Sequence, residues 1–405
     1  MTTHTNHSTL NLPLMSLPMC AVLSAQFLSA LADNALLIAA IALIRAGGSE
    51  SLVPVLQEFF VVPFILLAPF VGQLADALPK GRVMLLANGI KLFGATAMFA
   101  GLNPLLAYGI VGVGAAAYSP AKYGILSQLF SADKLVRANG LLEGSTIAAI
   151  LLGVFIGGIL ADDSIKLAFA AILLCYGLAA LANLLIPKLP AEHPLDTLKI
   201  AVLLREFWLS IKLLFANHDA RFSLLGTSLF WGSGTTLRLL LFAWVPVALL
   251  ATDNQTPAMM MAIVSIGIVI GAALAGAFVS LKTVNRALLG GLLIGPLVIL
   301  LSSATDRATA MLLLAAVGVC GGFFVVPLNA LLQDRGHASI GAGRALAVQN
   351  FCENLCMLSF VAAYATAAKA GAPVVTTVAG FGAAVLSGTL AIAMLRLRRR
   401  VAGAR

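Results

Sequence analysis

A run of about twenty apolar residues is long enough to cross the hydrocarbon core of a bilayer, and this chain is built almost entirely of such runs. They are unbroken and rich in Leu, Ala, Gly and Ile, unlike the short alternating segments of membrane-spanning strands. In lipid every backbone polar group must find its partner within the chain, so long runs of this kind are helices. Composition excludes water as the solvent. Hydrophobic residues make up 60% of the 405, charged residues only 10%, and the mean hydropathy is +1.02. A soluble domain carries roughly 25% charged residues, and here too little polar side chain exists to cover a globule.

The runs predict twelve helices, near 18–44, 51–77, 83–101, 104–129, 138–161, 166–187, 222–250, 257–281, 286–303, 308–333, 342–368 and 373–395. The one long polar connection, 188–221, divides them into an N-terminal six-helix bundle (1–187) and a C-terminal six-helix bundle (222–405). Cytoplasmic loops of membrane proteins are enriched in Lys and Arg. With the N-terminus inside, eighteen of the 25 Lys and Arg fall on the cytoplasmic side, four outside, and three (Lys91, Lys122, Arg238) within spans. Both termini are therefore expected in the cytoplasm. The net charge of +9 is then explained by loops facing anionic lipid. No basic, aromatic-interleaved patch lies outside the spans, so no nucleic-acid partner is expected. The five cysteines (Cys20, Cys175, Cys320, Cys352, Cys356) all sit in apolar runs without metal spacing, and read as small buried hydrophobes.

Sliding the chain against itself by 207 residues reveals a repeat. Gly114 falls on Gly321, Pro120 on Pro327, and Arg137-Ala138 on Arg344-Ala345. An even number of helices per copy predicts a parallel repeat about an axis along the membrane normal, as in two-lobed transporters.

The loop after the second helix reads Gly72-Gln-Leu-Ala-Asp76-Ala-Leu-Pro-Lys80-Gly-Arg82. This resembles the loop signature of the major facilitator superfamily, G-x-L-A-D-x-x-x-x-G-R. Gly72 lets two helices approach closely. Asp76 at a helix C-terminal end is unfavourable alone, so it is expected to seek Arg82 or another helix terminus. Such a contact can lock one state of a rocking bundle, with Gly72, Asp76, Lys80 and Arg82 as the gate. The second-half copy near 281–286 is degenerate.

Ionisable groups inside spans cost roughly 2.5–3.5 kcal/mol each on insertion scales and so mark function. They are Asp33, Glu58, Lys91, Lys122, Glu143, Arg238 and Glu353. Asp33 and Arg238 fall about mid-span in the first and seventh helices, which correspond under the repeat and line the central cavity of two-lobed transporters. Together they could grip a zwitterion, Asp33 taking an ammonium and Arg238 a phosphate, or they could form a structural salt bridge. Lys122 and Glu143 lie nearer the cytoplasmic face, as a pair, a gate or substrate contacts. Lys91, and Glu353 beside Asn350 and Asn354, could be ligands, coupling-ion groups or packing residues. Glu58 near an outer end could snorkel. The small-residue stretches 112–118 and 321–326 suit tight helix packing, or a slot for an acyl chain.

These segments resemble the bacterial lysophospholipid transporters, a branch of the major facilitator superfamily. The resemblance is carried by 26–30 with 33–37, 80–84, 112–126 (GVGAAAYSPAKYGIL), 138–141, 221–231 (RFSLLGTSLFW), 236–238, 244–249, 321–333 (GGFFVVPLNALLQ), 348–350 and 353–354. It implies a flippase that moves lysophosphatidylethanolamine and related lysophospholipids from the outer to the inner leaflet of the inner membrane, by facilitated diffusion. There an acyltransferase–acyl-carrier-protein synthetase, the implied functional partner, restores the missing chain. Substrate-binding residues are then expected among Asp33, Arg238, Lys122, Glu143, Asn350 and Glu353, with membrane lipids as surroundings, a monomer as the working form and no cofactor. The chain has no H-x-x-x-x-D acyltransferase motif and no G-K-[ST] of a P-loop. A proton-coupled exporter of amphipathic compounds is the alternative. An enzyme is not expected, since His4, His7, His193, His218 and His337 lie in the tail or loops without acidic partners in sequence.

Overall fold

In a computed structural model, the structure describes residues 10–47, 52–192, 199–251 and 255–402. His4, His7 and His193, and residues 193–198 of the 188–221 connection, lie outside the described residues. The described residues form fourteen α-helices and a 3-10 helix (Leu281–Arg286), joined by loops. In chain order these are α1 (Leu17–Ala46), α2 (Val53–Leu66), α3 (Ala68–Ala77), α4 (Lys80–Phe99), α5 (Pro104–Leu129), α6 (Leu135–Asp163) and α7 (Ile165–Leu184). Then follow α8 (Ile200–Ala216), α9 (His218–Ala248), α10 (Gln255–Phe278), α11 (Ala287–Ser302), α12 (Arg307–His337), α13 (Ala342–Lys369) and α14 (Val374–Ala402).

Every predicted apolar stretch is helical, with two differences. The second is broken: α2 and α3 meet at a 61° bend. Pro63 lies inside α2 and Pro69 opens α3, and a proline inside a helix removes a backbone hydrogen bond and clashes with the preceding turn. The connection 188–221 is also not merely polar. It contains α8, whose buried Leu203, Phe207, Ser210 and Leu214 share one stripe, an amphipathic pattern that polar counting missed.

Among the described residues, nine helices are long and apolar enough to cross a membrane, or ten when α2 and α3 are one span. The helices α4 and α9 are as long but more polar, carrying Lys80, Arg82 and Lys91, and Asp219, Arg221 and Arg238. Helix starts follow local chemistry. Asn103 caps α5 by accepting from Leu105 N at 2.9 Å, with Pro104 at the first position, and Asn217 caps α9 by accepting from Asp219 N at 2.9 Å. The 207-residue shift carries α5 onto α12, α6 onto α13 and α7 onto α14, with Pro120 and Pro327 both inside their helices.

The chain gathers into two compact units. The first comprises the described parts of Met1–Ala138, Ser145–Leu213 and Gln333–Phe351; the second comprises those of Asn139–Gly144, Leu214–Leu332 and Cys352–Arg405. In the first, α1 packs on α7 and α4 on α5 around Leu36, Met98, Tyr108, Phe169 and Tyr176. In the second, α11 packs on α14, with Trp244, Val298, Leu314 and Val385 in its core.

Candidate functional site

The first unit holds a polar cluster inside its apolar core. Asp33, in the middle of α1, is 17% exposed at its side chain and is held from two sides. Its Oδ2 lies 2.7 Å from the Lys91 ammonium of α4, and its Oδ1 accepts from the Tyr176 hydroxyl of α7 at 2.7 Å. Lys91 also donates to Ser29 Oγ at 3.0 Å and lies 4.9 Å from the centre of the Tyr118 ring. Ser29 donates to Asn88 Oδ1 at 2.7 Å. A carboxylate and an ammonium so far from water persist because each neutralises the other and their remaining valences are hydrogen-bonded. Lys91, open between ligand and packing roles on the sequence alone, is thus the ionic partner of Asp33 in this structure.

A second cluster lies at the C-terminal end of α3. Asp76 is fully buried, and its carboxylate accepts from the backbone N–H of Gly343 at 2.7 Å and of Arg344 at 2.9 Å, in the first turn of α13. The positive end of that helix is the terminus that Asp76 required. The cationic partner is Lys80, 3.1 Å away; Arg82 is exposed. Lys80 also pairs with Glu192 at 3.2 Å, and Glu192 accepts from Ala342 N at 2.8 Å and hydrogen-bonds His337 Nδ1 at 3.1 Å. Burial alone would raise the Glu192 carboxyl. The His337 hydrogen bond, the Lys80 ammonium and the Ala342 N–H outweigh it and hold the group at about 2. Gly72 is where α3 and α13 touch: a Cβ there would fall 2.6 Å from Ala347 Cβ. The sequence signalled Gly72, Asp76 and Lys80. It gave no sign of Glu192, which sits in an irregular loop, and it left His337 without the acidic partner that the structure supplies.

The second unit has a cluster of its own, at the start of α9, which the sequence did not flag. Arg396 of α14 binds Asp219 and His218 at the start of α9 and Asn285 at 2.9 Å, and its guanidinium stacks 4.8 Å from the Phe222 ring. The remaining candidates are placed as follows. Arg238 is exposed on α9 and Glu58 is exposed on α2. Lys122 is buried, 4.1 Å from the Tyr123 ring centre. Glu143 is buried and accepts from Asn329 Nδ2 at 3.1 Å. Asn350 donates to Ser119 Oγ at 3.0 Å, and Glu353 and Asn354 are buried on α13.

The two small-residue stretches serve helix packing. A Cβ on Gly112 would meet Phe60 O at 2.6 Å, and one on Gly322 would meet Ile268 O at 2.1 Å. An apolar cavity of about 530 Å³ lies elsewhere in the second unit, between α9, α13 and α14, lined by Leu240, Phe360, Tyr364 and Phe381 with Thr236 and Thr377.

The family model of the Major Facilitator Superfamily matches residues 22–361. The Lysophospholipid transporter LplT of Escherichia coli O157:H7 (strain EC4115 / EHEC) is 54% identical over 381 residues, covering 94% of this chain and 95% of the relative. LplT of Shigella boydii serotype 4 (strain Sb227) is similar to the same degree and over the same span. Among solved structures, the E. coli fucose:proton symporter FucP aligns with a TM-score of 0.71 at 15% identity, covering 94% of this chain and 98% of that one. The human organic anion transporter MFSD10 also gives 0.71, at 16% identity, covering 94% and 99%. At such identities these two show the fold alone. The chain belongs to the Major Facilitator Superfamily, in the family of the lysophospholipid transporters LplT.

Proposed function

We propose that this protein moves lysophospholipids from the outer to the inner leaflet of a bacterial inner membrane, down their gradient and without a coupling ion. The observation that carries this is the 54% identity to LplT across nearly the whole of both chains. A transporter, not an enzyme, is also the character of the superfamily. In this reading Asp33 takes the ammonium of a phosphoethanolamine headgroup and Arg238 takes its phosphate, with Lys122, Glu143, Asn350 and Glu353 as further polar contacts. The 530 Å³ cavity of the second unit is apolar enough for part of an acyl chain.

The halves 1–187 and 222–405 are the bundles that rock, with 188–221 as the tether. Counting α4 and α9 among the spans gives twelve, with both termini in the cytoplasm. The Asp76–Lys80–Glu192 cluster ties α3 and the tether to the start of α13, and so latches one state. It must break in the other. The lysolipid delivered to the inner leaflet lacks one chain, so the next step is acylation by an acyltransferase that works with acyl-carrier protein. The transporter acts as a monomer.

The test is leaflet-resolved uptake of labelled lysophosphatidylethanolamine in cells carrying the wild type, Asp33→Asn or Arg238→Ala, each quantified in the membrane. Both variants are expected to insert normally and to lose most uptake. Full activity in both would remove the headgroup assignment, and uptake abolished by a protonophore would replace facilitated diffusion with proton coupling.

A further inference from the structure

The connection between α7 and α9 carries a helix too short and too charged to be a span. Helix α8 has 17 residues, about 26 Å of helix at roughly 1.5 Å per residue, and Arg205, Glu206 and Lys212 lie along it. One stripe, Leu203, Phe207, Ser210 and Leu214, is buried. The rest of its surface is not what water selects. Ile200, Leu204 and Trp208, spaced four apart, stand out on one flank, and Leu209 and Leu213 on the other, all between 39% and 64% exposed. Between the two flanks run Arg205 and Lys212, both exposed and two helical turns apart, hence on one face. Glu206 is drawn to Arg344, 3.8 Å away in the first turn of α13, and the Leu203 carbonyl accepts from Gln73 near the end of α3. Helix α13 and the bent pair α2–α3 are long and apolar enough to cross a membrane. Helix α8 is therefore held at the level where two such helices end.

Apolar flanks with two cations between them suit neither water nor hydrocarbon. Water would leave five large apolar groups exposed on a single short helix, and the bilayer core would bury two charges. The boundary between the two solvents accepts both. Apolar side chains sink below the headgroups there, Trp is enriched at that depth, and the stems of Arg and Lys run along apolar surface to reach phosphate. We propose that α8 is an interfacial helix that binds the surface of the bilayer. Ile200, Leu204 and Trp208 lie among the upper segments of the acyl chains, and Arg205 and Lys212 lie on the phosphates of anionic phospholipids. Lipid is the occupant, rather than a soluble partner or a second copy, because α8 is fixed at the ends of spanning helices, where the bilayer is already alongside it. Through Gln73 and Arg344 the lipid surface then bears on the contact between α3 and α13, whatever the protein transports.

Trp208 reports its own surroundings. It is braced edge-on against Phe351, with 6.5 Å between ring centres, so its depth is that of the helix. The full chain is reconstituted in vesicles of phosphatidylcholine and phosphatidylglycerol, and the Trp208 signal is the difference between wild type and Trp208→Phe. The other two tryptophans, Trp231 and the buried Trp244, stay in place, so no core position is altered. Lipids brominated just below the headgroup are expected to quench this signal about twofold more than lipids brominated near the chain end, and aqueous acrylamide to quench it about threefold less than a free tryptophan amide. Brominating one lipid class at a time gives the preference at the helix. Phosphatidylglycerol is expected to be favoured about fivefold, the effect of one basic residue near an anionic surface, and the preference to fall to about one in Arg205→Gln/Lys212→Gln. Free access of acrylamide with no quenching by either bromolipid would place the face in water. Shielding from all three quenchers would mean that a protein covers it, and stronger quenching by the deep bromines would place the helix in the core. Each of these results overturns the proposal, and a wild-type preference of one overturns the anionic-lipid assignment.

Discussion

At the scale of single residues, the cluster at the end of α3 shows how one charge can hold two others. Lys80 lies between Asp76 and Glu192, all three side chains at most 1% exposed. Removing one partner of a buried pair leaves its counter-charge uncompensated, at about 3–5 kcal/mol. Lys80→Met is therefore expected to lower stability by about that much in thermal unfolding of the detergent-purified protein. Arg82→Ala, at an exposed position of the same motif, should stay within about 0.5 kcal/mol. The pH dependence of this cluster follows from Glu192, whose carboxyl is held below its ordinary range, at about 2. Its contribution is fully present above the unfolded value of roughly 4.3 and is lost as pH falls through about 2. The stability difference between wild type and Glu192→Gln should thus be intact at pH 5 and shrink between about pH 4 and pH 2. The motif residues were legible because their spacing is tied to a turn. Glu192 was not, because its partners lie more than a hundred positions away in sequence.

At the scale of elements, the contact of α3 with α13 depends on the absence of side chain. A Cβ at Gly72 would sit 2.6 Å from Ala347 Cβ and 3.0 Å from both Arg344 Cα and Gly343 O. Gly343 in turn lies against Asp76 and the Gly72 carbonyl. Overpacking such a contact costs about 1–3 kcal/mol. Gly72→Val is expected to open this contact, so that a cysteine placed at buried Ala342 reacts with a thiol reagent about tenfold faster, the equivalent of about 1.4 kcal/mol. An unchanged rate would mean that the helices separate elsewhere. The bend between α2 and α3 was readable in principle from Pro63 and Pro69, but hydropathy passes smoothly through it. The amphipathic α8 lies within a connection whose flanks are polar, although thirteen of its own seventeen residues are apolar and only Arg205, Glu206 and Lys212 are charged. It packs on the first unit through Phe207, edge-on to Phe351 at 5.5 Å, and through the Leu203 carbonyl, which accepts from Gln73 at 3.1 Å. Helix α8 is therefore anchored beside Gln73 of α3 and Phe351 of α13.

At the scale of the whole molecule, the repeat and the charge bias make one topological expectation. Reporters fused after Ala402 and ahead of Leu10 should both report the cytoplasm, and a reporter placed between α1 and α2 the periplasm. Opposite signals at the two ends would require an odd number of crossings. By itself the sequence determined the solvent, the helices and their duplication, because span length, hydropathy and internal similarity are properties of contiguous residues. It also located the ionisable groups, because a charge within an apolar run stands out wherever it points. Only the tertiary structure decided which groups those charges meet. Asp33 is bound by Lys91 and Tyr176, residues 58 and 143 positions along the chain, and Asp76 by the start of a helix 267 positions away. Such pairings depend on which helix faces adjoin, and that is settled by the packing of the bundle rather than by any local pattern.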